Sequence, residues 1–225
     1  MRKFSILLIA VTACCLSVSG QSHFSIATDV AAMRNFSAAQ QFTTLGQNVS
    51  GQYFFGNTTG AYVQIGYFLP GKFDNDFIAT ARPGSPAPAT RKYNVSGSWR
   101  FRQVSAGLKQ FVSGRHDAEA GKSFYILGGF GLLLSRAENT LSSDISQADY
   151  ELAKTPALGT HDFTRLTLDA GLGIEIPLSI GFFFYTELKT WIPMSDYPSD
   201  ALHRDSRVPY PVIAAAGLRL QFGNY

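Results

Sequence analysis

The side chains able to do chemistry are few, and no motif arranges them for catalysis. Four histidines, His23, His116, His161 and His203, are scattered over a terminus, a turn and loops. None has metal-ligand spacing. Ser/His/acid chemistry would need His161 or His203 to meet a serine, and nothing in the sequence singles out such a set. Two acidic groups, Asp144/Asp149/Glu151 and Asp196/Asp200/Asp205, lack EF-hand spacing and read as solvated loop acids. Asn35, Asn48, Asn57 and Asn94 open N-x-[ST] triplets, which recur by chance. There is no phosphate loop, HExxH, CxxC or basic-aromatic nucleic-acid surface. The expectation is a non-enzyme with no cofactor, no metal and no nucleic-acid partner.

A different set of polar residues is informative because of where it falls. Leu166, Leu168, Ala170, Leu172, Ile174 and Ile176 alternate with Thr167, Asp169, Gly171, Gly173 and Glu175. Near the C-terminus, Val212, Ala214, Ala216, Leu218, Leu220 and Phe222 oppose Ala215, Gly217, Arg219 and Gln221. A period of two over ten or more residues means long strands, apolar on one face. Eight segments fit, at about 23–34, 41–55, 60–74, 92–112, 122–138, 163–177, 181–193 and 211–223. On their polar faces lie Asp29, Lys109, Asp169, Glu175, Glu187, Lys189 and Arg219. The fifth segment is ambiguous, since Phe124, Ile126, Phe130, Leu132 and Leu134 oppose an equally apolar set, Tyr125, Leu127, Gly129, Gly131 and Leu133.

The elements that carry these residues belong to an exported chain. Met1-Arg2-Lys3, an apolar stretch to Ala13, and Val18-Ser19-Gly20 form a signal peptide over 1–20, with cleavage expected after Gly20. A lipobox ending at Cys14 is the rival reading. Cleavage after Gly20 removes Arg2 and Lys3, leaving 17 of the 19 basic residues against 16 acidic ones, so the basic pI carries no message about partners. It also removes Cys14 and Cys15, the only two cysteines, and with them any disulfide. No apolar run is long enough for a membrane-spanning helix. Residues 21–225 form one domain.

The connections sort by length. Gly56–Gly60, Ser113–Gly121 and Leu178–Ile180 are short, whereas 75–91, 139–162 and 194–210 are long. The remaining connection, 35–40, is short. Short turns at one end and long loops at the other are the habit of membrane barrels. Loop 75–91, with Pro83, Pro86 and Pro88, reads as a polyproline-like excursion, and 148–153 as a short helical turn.

Three features place the polar face inside. Glycines (Gly46, Gly66, Gly107, Gly171, Gly173, Gly217) crowd it, as a narrow barrel interior requires. Aromatics Phe24, Tyr53, Phe55, Tyr125, Phe182, Phe184 and Phe222 have apolar-face parity beside the short turns, forming one interfacial girdle. Tyr67 and Phe163 are candidates for the opposite girdle. The seven charged residues then form a lumenal network, with Lys189 expected to meet Asp169, and Arg219 to meet Glu187.

The chain resembles the small eight-stranded outer-membrane barrels, the family of porin-like and OmpA-like barrel domains. The resemblance covers residues 21–225 and is most specific at Gly217-Leu218-Arg219-Leu220-Gln221-Phe222. This segment is similar to the family's C-terminal insertion signal, with Gly217, Leu220 and Phe222 at its marked positions, although Gly223-Asn224-Tyr225 follow. The resemblance implies recognition by the barrel assembly machinery and an outer-membrane location. The expected architecture is all-β: an eight-stranded antiparallel up-and-down transmembrane β-barrel with both termini periplasmic. The expected role is structural or surface-interacting, through extracellular loops and an unidentified ligand. A small pore or ligand-binding barrel is the first alternative, and a soluble secreted lipocalin-like carrier the second.

Overall fold

The computed structural model describes residues 23–36, 41–141, 145–152, 156–194 and 210–222. The signal segment 1–20 with Cys14, the residues after Phe222, and most of loop 194–210 with His203, Asp196, Asp200 and Asp205 lie outside them, as does Asp144. Nine strands occur among the described residues: β1 (His23–Asn35), β2 (Phe42–Phe54), β3 (Thr59–Ala81), β4 (Thr90–Ser113), β5 (Ser123–Leu141), β6 (Tyr150–Glu151), β7 (Gly159–Ser179), β8 (Phe182–Pro193) and β9 (Pro211–Phe222). Eight of them pair antiparallel in the order β2-β1-β9-β8-β7-β5-β4-β3, and β2 pairs with β3 to close the ring. Closure leaves no free edge within the paired region, the condition for strands to stand in hydrocarbon. β6 is a two-residue strand on the far end of β3.

Two expected loops are shorter than the sequence suggests. Asn75 to Ala79 pair with Val95 to Arg91, so most of 75–91 is ladder and only 82–89 turns. Prolines 83, 86 and 88 all fall within that tip, where their missing N–H groups break no ladder bond. Likewise Asn139 pairs with Gly159, which shortens 139–162. The helical turn expected at 148–153 is replaced by a turn over 146–150, with the Tyr150 N–H donating to Ser146 O at 3.2 Å, and by β6; residue 153 lies outside the described residues. Ala81 and Tyr150 pair there, so tertiary contact with β3 overrides local propensity.

The eight barrel strands are unequal. β1, β2, β8 and β9 have 12 or 13 residues, whereas β3, β4, β5 and β7 have 23, 24, 19 and 21. The surplus rises from one end as a four-stranded blade. The hydrophobic phase inverts where the blade begins. Low on β4, Val104, Ala106 and Leu108 face out, while Gln103, Ser105 and Lys109 face in. Higher up, Tyr93, Val95, Trp99 and Phe101 are buried, and Arg102 and Arg100 have the outward parity. In β3 a bulge between Phe68 and Gly71 holds Pro70, in one of the few strand sites where proline fits. The blade thus has an ordinary protein interior built on Ala79, Tyr93, Val95, Ile145 and Tyr150.

Candidate functional site

Below the blade, the wall presents a mainly apolar belt. The outward-facing stretches Phe24–Ala32, Leu45–Tyr53, Ala61–Leu69, Val104–Val112, Phe124–Leu134, Leu166–Ile176, Phe184–Ile192 and Val212–Phe222 contain no charged outward residue. The ten-residue step from Phe124 to Leu134, on a tilted strand, corresponds to roughly 25 Å of height, the hydrocarbon span of membrane barrels. So large a patch on a soluble monomer would drive association. The polar groups Thr28 and Gln47 on this surface bond inward or to each other: Thr28 Oγ1 donates to Asn48 O at 3.2 Å, and Gln47 Nε2 donates to Thr28 Oγ1 at 3.4 Å.

At the end where both described termini and the short turns lie, Tyr53, Phe24 and Phe222 sit opposite one another across β2, β1 and β9. The rings of Phe24 and Phe222 stack with centroids 6.1 Å apart. Phe55 and Phe184 are exposed beside them, and Phe182, half-buried, pairs with outward-facing Leu220. Tyr125 does not belong to this ring. It points inward and is 1% exposed, because Phe124 and Ile126 take the outward positions of β5. Phe163 is also interior, packed on Trp99, so the upper girdle is built differently. There, Arg102 lies over the Tyr67 ring at 5.8 Å and Arg34 over Phe36 at 5.2 Å.

The lumen is filled in three layers. Near the short turns, Glu175 (1% exposed) accepts from Lys109 Nζ and, at 2.8 Å, from Arg219 Nη2. Arg219 is fully buried and donates also to Gln221 Oε1 at 3.0 Å and to His116 O at 2.5 Å. Its guanidinium lies 4.0 Å from the Phe183 ring centroid, and Lys109 Nζ lies 3.8 Å from that of Tyr125. His116, carried by the β4–β5 turn, stacks on Phe54 at 4.3 Å and caps this end. Gly114 and Gly121, with φ of 79° and 87°, let the turn fold back under the barrel. In that turn, desolvation pushes the Asp117 carboxyl up. The bidentate bonds from Arg115 at 3.0 Å and the neighbouring His116 outweigh it and hold the group below the usual carboxylate range.

The middle layer holds Lys189, bonded to Glu187 at 2.9 Å and to Gln64 Oε1 at 2.9 Å. Glu187 also accepts from Tyr125 Oη at 3.2 Å. Asp29 accepts from Asn48 Nδ2 at 2.6 Å and from Tyr185 Oη at 2.9 Å. Asp169 accepts from Gln103 Nε2 at 3.0 Å and Thr167 Oγ1 at 2.9 Å. The upper layer is an aromatic plug of Phe42, Phe68, Phe73, Trp99, Phe101, Phe163 and Trp191.

The seven charged positions therefore share one interior, but the partners differ from those expected. Register explains it. Glu187 lies opposite Ala215 while Arg219 lies opposite Phe183, a separation of four residues, roughly 13 Å along the sheet. Arg219 reaches Glu175 across the lumen instead. Lys189 lies opposite Gly171, not Asp169, and turns to Glu187 two residues away on its own face. The sequence reading missed Arg165, buried with the parity of Thr167 and Asp169. It brings the interior cations to four, against four carboxylates among the described residues. That parity was the signal available. Gln103, Asn48, Tyr185 and the His116 carbonyl carried none, since their partners lie on other strands.

The remaining candidates do not converge. His161 is half-buried, its Nε2 at 3.0 Å from Leu158 O, far from the buried His116. Asn48 of the second sequon is interior. Among the described residues no three His, Cys, Asp or Glu side chains form a metal-binding group. Gly217 faces inward against the Thr28 carbonyl and Asp29, while Leu220 and Phe222 face out.

No protein-family model matches the chain and no curated protein matches its sequence. Solved structures do match its shape. Neisserial surface protein A is similar over 91% of this chain and all of its own, at 12% identity and a TM-score of 0.53. Ail of Yersinia pestis (14% identity, 90% of this chain, all of its own, TM-score 0.49) and OprG of Pseudomonas aeruginosa (14%, 90%, 97% of its own, 0.47) also match. At such identity the likeness is one of fold alone, and the belt, the closed ring and the sorted connections agree with it: the chain has the fold of a small eight-stranded outer-membrane β-barrel.

Proposed function

We propose that this barrel is a non-catalytic, non-conducting scaffold that displays the β3–β4–β5–β7 blade outside the cell. The observation that carries the reading is the inequality of the strands: β3, β4, β5 and β7 continue beyond the belt, and the extensions of β3 and β4 close with residues 145–152 around a core of their own. Both termini then lie in the periplasm, after export and cleavage following Gly20. Gly217, Leu220 and Phe222 form the strand read by the assembly machinery, with the two larger side chains on the lipid face where a partner protein can reach them. The blade, with its tip at 82–89, meets the external ligand or surface.

Planar bilayers test it. The folded chain should insert without producing channel steps, because ion pairs, His116 and the aromatic plug fill the interior among the described residues. A variant closing Asp74 to Ser96 with an Asn-Gly turn should still insert and stay closed, since the removed residues stand above the belt. Steady conductance from the intact chain would refute the reading. A second reading, a ligand-binding barrel, has one observation in its favour. Trp99 and Trp191 are the chain's only tryptophans, and both line an aromatic cup with Phe42, Phe101 and Phe163. Their indole Nε1 donors are buried without an acceptor among the described residues. Saturable quenching of their fluorescence by nitrophenol would favour that reading.

A further inference from the structure

At the height where the hydrophobic phase inverts, the outer wall carries arginines that neither the lumen nor the blade core uses. Arg100 on β4 lies directly opposite Arg136 on β5, and Arg102, two residues lower, lies opposite Leu134. Like charges facing each other across a ladder are unfavourable unless something neutralises them. Asp162 neutralises Arg136 alone, in a bidentate pair of 2.8 and 3.0 Å. Arg100 keeps a buried Nε with no partner among the described residues, and the Arg102 guanidinium rests on the face of Tyr67. These groups line one outward-facing concavity with Leu134, Ser135 and Thr164. Directly below it run the apolar side chains of Val104, Leu132, Leu134 and Leu166, all exposed.

We propose that Arg100 and Arg102 form a binding site for the phosphate group of a membrane lipid in the leaflet at the long-strand end. A cationic cleft above an apolar track fits an amphiphile with an anionic head and acyl chains. The guanidinium forks bond phosphate oxygens, and the chains lie along the strand below. A soluble anion would gain nothing from the track. The site rests on the barrel spanning a membrane, not on what the blade contacts. Because both side chains face outward, exchanging them leaves the interior untouched.

Native mass spectrometry of the folded chain, released from detergent with lipid A bearing two phosphates or with its dephosphorylated form, tests this. The wild type should retain the phosphorylated lipid. Arg100→Gln/Arg102→Gln should weaken that retention about tenfold or more, while still folding and inserting into vesicles. The dephosphorylated lipid should bind both proteins equally poorly. Equal retention by wild type and variant overturns the site, as does equal binding of the two lipids by the wild type. Displacement of the lipid by millimolar inorganic phosphate also overturns it, since the site would then serve a free anion. If the variant fails to fold, the comparison of the two lipids on the wild type decides alone. Failure of the wild type to enter vesicles at all would count against the membrane barrel rather than this site.

Discussion

Glu175→Ala should destabilise the folded barrel by about 3–5 kcal/mol, the cost of leaving buried charges without their counter-ion. Glu175 is the shared acceptor of Lys109 and Arg219, and all three side chains are at most 5% exposed. The aromatic faces of Tyr125, Phe183 and Phe54 and the His116 carbonyl soften the positive charge but do not cancel it. The loss should appear as a fall of about 1 M or more in the urea midpoint of the barrel in vesicles. The triple variant Lys109→Met/Glu175→Leu/Arg219→Met should recover most of it, because a buried ion cluster contributes little over apolar groups of similar volume. An unchanged midpoint for Glu175→Ala would mean that water solvates these charges, and the lumen would be a channel.

Gly173→Trp should yield no folded barrel. Gly173 lies opposite Tyr125 on β5 and Glu187 on β8. A Cβ there would stand 2.3 Å from Cζ and Oη of Tyr125. Tyr125 has no room to withdraw, with Lys109 over its face and the Phe111 ring centroid at 5.5 Å. Even Gly173→Ala should cost about 1–3 kcal/mol through overpacking. The shift between heated and unheated bands on SDS gels reports folding directly. It should vanish for the tryptophan variant and persist for the alanine one. Normal folding of Gly173→Trp would put this face in open solvent.

How much of this was legible depends on the side of the belt from which each segment comes. β9 and the 166–176 stretch of β7 lie within the belt, and their alternation reads directly as lipid face and lumen face. β5 misled because its inward residues Tyr125, Leu127 and Leu133 pack in the interior against aromatic or apolar neighbours, so both faces are apolar and parity has nothing to grip. Tyr125 was placed on lipid for that reason. The top of β3 was hidden by Asp74, Asn75 and Asp76, loop formers by propensity. They continue the ladder because Phe73 points into the aromatic plug and Phe77 and Ala79 into the blade core on the same alternation, now apolar inside. The inversion near Arg102 is present in the sequence, but it takes on meaning only once a membrane boundary is set there. The pairs of Lys109 and Arg219 with Glu175 were not legible, because they join strands distant in sequence; Lys189 and Glu187, by contrast, stand two residues apart on one strand.

The most direct test of the inside-out barrel is a nitroxide scan of β7, one cysteine at a time from 166 to 170 and at 172, in a Cys14→Ser/Cys15→Ser background refolded into vesicles. Residues 166, 168, 170 and 172 should collide readily with oxygen dissolved in the lipid. Residues 167 and 169 should be shielded from both oxygen and a water-soluble nickel complex. Free access of the nickel complex to the even-numbered positions would contradict the account.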